Sequence, residues 1–262
     1  MNAEPPASLR SLRPAPLAGA AAVCAALLAA ACAAHGPPGQ MEPTELFRWS
    51  VDRYERGDYG SAAQGFREFL LEEPLHPKVD SAQYLLGESR FRNEKYVQAA
   101  EAFDRLAVNR PGSRLADDAQ LGVCRSYWRL SPDLALDQSH TRDARDACQR
   151  LLQYYTPSPL EEEARELRDS ARHKLAAKQF RIARWYFDHG AYQSANIYLE
   201  ELLDQHPEAP VVPEVMATLF RSYRELGFDR EARAIRERLL EEHGDSTAAR
   251  EVRDLELPSS PS

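Results

Sequence analysis

The feature that most constrains this chain is a segment that repeats with a period of 37 residues. Residues 57–74 and 94–111 align without a gap, and further copies occupy residues 190–207, residues 227–244 and, most weakly, the region around Cys148. The positions that recur in the first two copies are Ala62, Phe66, Phe69 and Pro74, then Ala99, Phe103, Leu106 and Pro111. A fixed period of this length is typical of repeat proteins, in which each unit is one supersecondary motif stacked on its neighbours.

Each repeat predicts a pair of α-helices. The segment 82–91, which precedes the second copy, has apolar residues at helical spacing. Two helices cross closely only where side chains are small, so we expect Gly87 to face Ala99, with Phe103 filling the groove to the next pair. This pattern of small, large and proline positions resembles the tetratricopeptide repeat, in five copies over residues 42–244.

We therefore predict an all-α fold, a tetratricopeptide-repeat solenoid of five helix pairs within residues 42–256. A polar-faced segment over 247–256 predicts a short C-terminal capping helix. The third pair is interrupted by a longer loop over 131–140, and loops on a rigid scaffold often carry function. Ser158 and Glu161 form a capping-box pattern that predicts a helix of about 45 Å running to about His189.

The N-terminus has the pattern of a secretion signal. Residues 17–31 are apolar but too few to span a bilayer, which favours a cleaved signal peptide over residues 1–31. Leu28 and three alanines directly before Cys32 resemble the lipobox of bacterial lipoproteins. That resemblance implies an acylated Cys32 as the first mature residue, and Ala33 after it implies the outer membrane. The alternative is an ordinary signal peptide followed by an incidental thiol.

Residues 32–41 are then a lipidated cysteine with a flexible tether, and residues 257–262 a disordered tail. Two further cysteines, Cys124 and Cys148, remain. Both fall on apolar helix faces, where packing as small hydrophobic side chains is favoured, although a disulfide in an oxidising periplasm stays open.

Composition and motifs exclude several functions. The chain has 33 basic and 41 acidic side chains, a net charge of −8, so it has no basic excess with which to bind nucleic acid. The seven histidines lack metal-ligand spacing, and no phosphate loop, dinucleotide motif or nucleophile motif is present. We therefore predict a protein that is not an enzyme, without a metal or any cofactor beyond the lipid on Cys32.

The predicted binding site is the concave groove that the first helix of each pair lines in tetratricopeptide proteins. In repeats one to three the expected groove residues are Phe47, Tyr54, Tyr84, Phe91, Arg92, Arg125, Trp128 and Arg129. Apolar surfaces beside guanidinium groups suit a peptide that carries aromatic residues and a terminal carboxylate. The alternative is that some of these rings pack between helices.

Two longer stretches, 137–144 and 183–192, together with the lipobox and the long helix, resemble the BamD family of outer membrane assembly lipoproteins. The resemblance implies a lipid-anchored scaffold on the periplasmic face of the outer membrane. Repeats one to three would receive unfolded outer membrane β-barrel proteins, and the C-terminal repeats would dock a BamA-like barrel protein. The residues assigned to that docking are Tyr198, Arg221 and Arg224.

One departure from the family pattern lies in the fourth repeat, where Ile197 and Tyr198 replace the common Asn-Arg pair. An ion pair to a BamA-like partner is therefore in doubt at this place. The alternative function is that of another periplasmic tetratricopeptide lipoprotein, such as a secretin pilotin or a Tol-Pal coordinator.

Overall fold

The structure, a computed structural model, describes residues 41–255 and contains eleven α-helices in that range. The first three pairs are α1 (Pro43–Glu55) with α2 (Tyr59–Glu72), α3 (Val79–Arg92) with α4 (Tyr96–Asn109), and α5 (Ala116–Leu130) with α6 (Ser139–Tyr154). The remaining helices are α7 (Glu161–Asp188) with α8 (Tyr192–Gln205), α9 (Val212–Glu225) with α10 (Asp229–His243), and the short α11 (Thr247–Arg253). The predicted all-α solenoid of five pairs and a capping helix is confirmed. The predicted signal peptide, Cys32 and the C-terminal tail lie outside the described residues.

The helices stack as a solenoid. Each helix packs on the next along the chain, and the first helices of neighbouring pairs also contact each other, α3 with α5, α5 with α7 and α7 with α9. The first helices therefore form one continuous row. All the predicted groove residues belong to helices of this row. None of the helices between residues 41 and 255 is both long enough and apolar enough to cross a membrane.

The repeated small residues form the contacts between helices. The alanine of the repeat frame is fully buried in every pair, at Ala62, Ala99, Ala144, Ala195 and Ala232. Because a methyl group at these positions lets two backbones approach, the larger apolar residues of each repeat fill the remaining space.

The expectation that Gly87 faces Ala99 is wrong in detail. Gly87 lies against the ring of Phe103, where a Cβ atom would come within 2.5 Å of a ring carbon. Gly122 of α5 lies against the same ring, with a corresponding distance of 2.6 Å. Phe103 thus contacts glycines of two neighbouring first helices.

The two cysteines are bonded to each other. A disulfide joins Cys124 of α5 to Cys148 of α6, whose Cα atoms lie 5.1 Å apart, a separation typical of disulfides. The preference for two free, packed thiols is therefore corrected, although both residues are fully buried in the core as the apolar pattern indicated. The bond links the two helices on either side of the long loop.

The longest helix, α7, has 28 residues and starts at Glu161. The predicted capping box is half formed. Glu161 accepts a hydrogen bond from the backbone N–H of Ser158 at 3.2 Å. The Ser158 hydroxyl accepts from Leu160 N–H and donates to Asp117 of α5 at 2.8 Å. The start of α7 is therefore fixed both locally and against the preceding repeat.

Candidate peptide-binding face

The row of first helices carries a ladder of polar side chains that runs across four repeats. The Tyr54 hydroxyl of α1 donates to Glu88 of α3 at 3.5 Å. Arg125 of α5 donates through Nε and Nη2 to both carboxylate oxygens of Glu163 of α7, at 2.6 and 2.5 Å. The four residues come from four different first helices, and each contact joins two neighbouring repeats. We name these four residues the polar ladder.

Tyr84 lies beside the ladder and packs its ring on Phe103, with centroids 5.6 Å apart. Burial raises the pKa of Tyr84 well above its ordinary value, and the nearby carboxylate of Glu88 raises it further. The Tyr84 hydroxyl is therefore neutral at any physiological pH and offers hydrogen bonding without charge.

Arg125 is less available than the sequence indicated. Its guanidinium group forms a two-point ion pair with Glu163, and that hydrogen bonding is the main reason its pKa is raised. A carboxylate of a bound peptide would have to compete with a partner that already satisfies the planar fork. This pairing could not be predicted from the sequence, because the two residues lie 38 positions apart.

Arg92 and Arg129 are more available to a ligand than Arg125, although Arg92 also forms an ion pair with Glu88 at 3.6 Å. Both are exposed, and each stacks on tyrosine rings of the preceding repeat. The Arg92 guanidinium lies 5.4 Å from the Tyr54 ring and 5.8 Å from the Tyr59 ring. Arg129 lies 5.1 Å from the Tyr96 ring and donates to its hydroxyl at 2.8 Å. Stacking of this kind holds a guanidinium in place while leaving donors for a carboxylate or carbonyl.

Tyr59 and Tyr96 are functional candidates that the sequence reasoning missed. Each is the first residue of a second helix, five positions after the aromatic residue it contacts, Tyr54 at 5.6 Å and Phe91 at 5.3 Å between ring centroids. They are 37 residues apart, so the repeat itself carried the signal. We name Tyr54, Tyr59, Arg92, Tyr96 and Arg129 the aromatic–arginine face.

The other predicted groove aromatics play different parts. Phe47 is 8% exposed and packs edge-on against Phe66 and Phe69, so its assignment to the groove is corrected. Phe91 is half-buried and packs against the core of repeats two and three. Trp128 is half-buried, with the Lys174 ammonium of α7 5.6 Å from its ring.

The long loop lies on α7. It spans residues 131–138, since α6 begins at Ser139. The Lys174 ammonium donates to the Ser131 hydroxyl at 2.8 Å, and Lys178 donates to the Leu134 carbonyl at 2.9 Å. Gln138 is buried and donates to two carbonyl groups within the loop. The loop therefore has a defined shape supported from both sides.

The three residues assigned to partner docking lie in two places. Tyr198 of α8 stacks on Tyr186 of α7, with centroids 5.3 Å apart, beside Ile197, which is 66% exposed. Arg221 of α9 forms an ion pair with Glu251 of α11 at 2.7 Å, and Arg224 lies over the ring of Phe220. An aromatic, partly apolar surface thus occupies the position where the family pattern has an arginine.

The described part of the chain has the features of a binding scaffold. Among residues 41–255, no group of three His, Cys, Asp or Glu side chains is arranged to hold a metal ion. What the site does contain is a continuous row of helices with aromatic, arginine and carboxylate side chains. The fold and the site together define a tetratricopeptide-repeat scaffold.

The chain belongs to the YfiO family, described as "Outer membrane lipoprotein", which matches residues 39–239. It is similar to the outer membrane protein assembly factor BamD of Caulobacter vibrioides, with 26% identity over 86% of this chain and 75% of that protein. An Aquifex aeolicus protein named after the same factor is 28% identical over 63% of this chain and 54% of that protein. Among solved structures, the TPR2AB domain of yeast Sti1 in its pHSP90 complex covers 79% of this chain and 80% of that one, with 12% identity and a TM-score of 0.43.

Proposed function

We propose that this protein is a non-enzymatic scaffold for the assembly of outer membrane β-barrel proteins. In this proposal it is anchored by acyl chains on Cys32 to the periplasmic face of the outer membrane. Repeats one to three bind unfolded barrel proteins, and the C-terminal repeats bind a BamA-like barrel protein. The similarity to relatives named as outer membrane protein assembly factors supports this function over that of a secretin pilotin or a Tol-Pal coordinator.

The observation that carries the substrate-binding part is the aromatic–arginine face. Arg92 and Arg129 are both exposed, stacked on tyrosines, and lie one repeat apart on the same row of helices. An unfolded β-barrel segment alternates apolar and polar side chains, carries aromatic residues near its ends and has backbone carbonyls free to accept hydrogen bonds. Such a segment matches the spacing of ring surfaces and guanidinium donors better than a compact globular partner does.

Binding of a synthetic peptide tests this part. The peptide has alternating aromatic residues and a free C-terminal carboxylate, and its binding to the purified protein is measured by calorimetry. Replacing Arg92 and Arg129 by alanine removes two charge-assisted contacts, so we expect affinity to fall by about tenfold. Arg48→Ala, an exposed arginine of α1 outside the face, is the matched control. Equal affinities for all three proteins would contradict the proposed site.

Partner binding and anchoring need separate experiments. The tagged protein is purified in mild detergent from its own cell envelope, and co-purifying proteins are identified by mass spectrometry. We expect a BamA-like barrel protein, and we expect Tyr198→Asp to reduce its recovery, because a charge is placed on the aromatic surface. A secretin recovered in its place would support the pilotin alternative. The intact mass of the mature protein reports acylation, and an unmodified Cys32 would exclude the anchor.

A further inference from the structure

A cavity of about 390 Å³ lies between the ends of the second helices of repeats two and three, and Gln120 of α5 also lines it. Its walls come from the C-terminal ends of α4 and α6 and from the turn before α5, and it includes Val108, Pro111 and Tyr154. Val108 is 64% exposed and Tyr154 is 69% exposed, so both side chains offer apolar surface to a ligand. The volume is that of pockets that bind small, mostly apolar groups.

The cavity has fixed polar groups at its wall. Gln120 is almost fully buried and its amide Nε2 donates to the Ala147 carbonyl at 2.8 Å, so its amide oxygen is left as an acceptor. The Tyr155 hydroxyl donates to the Ala107 carbonyl at 3.1 Å, which holds that ring in place. These bonds make the cavity a preformed feature of the fold, and they position one acceptor beside an apolar space.

The rim of the cavity carries a cation. Arg150 is exposed, and it belongs to none of the ion pairs formed within residues 41–255. Burial and the carboxylates of Asp117 and Asp104 raise the pKa of Tyr155, whereas Arg150 lowers it. Arg150 is the charged residue that lines the cavity, so a ligand carboxylate is favoured at the rim beside it.

We propose that this cavity binds an aromatic side chain of a partner protein in a segment where a carboxylate directly follows that residue. The ring contacts Pro111 and Tyr154, the carboxylate pairs with Arg150, and a backbone N–H of the segment donates to Gln120. This site is separate from the aromatic–arginine face and does not depend on the proposed assembly function. It gives repeats two and three a second peptide contact, lined by residues other than those of the aromatic–arginine face.

The test uses the full-length protein in detergent and the capped hexapeptide Ser-Gly-Phe-Asp-Gly-Ser, with fluorine on the phenylalanine ring. Fluorine resonances of the peptide report binding whatever the size of the protein. We expect saturable binding with a Kd near about 1 mM, typical of a single side-chain contact. The same peptide with Asn in place of Asp should bind about threefold more weakly at low salt.

Arg150→Gln tests the contact between Arg150 and the peptide carboxylate, because it should abolish the difference in affinity between the Asp and Asn peptides. Tyr154→Ser removes a wall and should weaken both peptides, whereas Arg48→Gln should change neither. Arg150 and Tyr154 are exposed, so these variants keep the fold, and helix content by circular dichroism verifies this. The absence of saturable binding below about 5 mM, or an unchanged preference for Asp in Arg150→Gln, would overturn the proposal.

Discussion

The contact of Gly87 and Gly122 with Phe103 predicts that a single methyl group at Gly87 destabilises the solenoid. In an open helix, Gly→Ala stabilises by about 1 kcal/mol. At Gly87 the new Cβ would lie 2.5 to 2.9 Å from three carbons of the Phe103 ring, which is fully buried, also contacts Gly122 and so has little room to shift. Overpacking of this kind costs about 1–3 kcal/mol. Because the ring has little room to shift, we expect a cost near the upper value. Subtracting the gain of about 1 kcal/mol in helix propensity leaves a net loss of about 2 kcal/mol.

The measurement is thermal unfolding followed by circular dichroism. For a chain of this size, a loss of about 2 kcal/mol lowers Tm by about 4–8 °C. Gly60→Ala is the matched control, since Gly60 lies in α2 and its added Cβ would meet only the Asn93 side chain at 3.9 Å. We expect Gly60→Ala to leave Tm unchanged or raise it. A Tm for Gly87→Ala equal to or above the wild-type value would refute the reasoning.

A second substitution tests the cause. Phe103→Leu removes the ring that Gly87→Ala would strike, so the two changes together should cost less than the sum of the single changes. The coupling should favour the double variant by about 1 kcal/mol or more. Strict additivity would show that the loss has another origin than contact with Phe103.

Three further predictions concern other parts of the fold. The Cys124–Cys148 disulfide spans a sequence separation of 24, so reduction should lower the free energy of unfolding by about 3 kcal/mol in urea denaturation; an unchanged midpoint would show that the bond does not form. Replacing Lys174 and Lys178 by alanine should speed proteolysis within residues 131–138 while Tm changes little, and equal cleavage rates would mean that the lysines do not hold the loop. Burial and nearby Arg172 lower the pKa of His206 below 6.5, so its contribution to stability is complete above pH 6.5 and is lost as the pH falls through the lowered pKa. His206→Gln should therefore show a flatter loss of stability on acidification, and parallel curves would contradict this.

The repeat period predicted the fold because it combines several independent constraints. Small residues at Ala62 and Ala99, aromatic residues four positions later, and prolines after each pair leave few architectures other than stacked helix pairs. The same frame also contained the positions of Tyr59 and Tyr96, although their role emerged only from the structure. Residue positions that recur in register along the chain can therefore be predicted from the sequence alone.

Contacts that do not follow the repeat were not readable in this way. Phe47 and Tyr54 lie seven positions apart on one face of α1, yet Phe47 is buried and Tyr54 is half-exposed. Helical spacing identifies a face but not how much of it the neighbouring helices cover. The pairing of Cys124 with Cys148 was hidden for a similar reason, since the long loop shifts the register between the two helices that carry them.

The exposed face is built from contacts between repeats, and this links binding to the shape of the solenoid. Arg92 stacks on tyrosines of repeat one, Arg129 on a tyrosine of repeat two, and Lys174 on Trp128 of repeat three. Each cation therefore holds its own repeat against the preceding one. A peptide that accepts hydrogen bonds from Arg92 and Arg129 together spans three repeats and draws on side chains that already set the spacing between them. Its affinity consequently depends on the curvature of the helix row as well as on the identity of the residues it contacts.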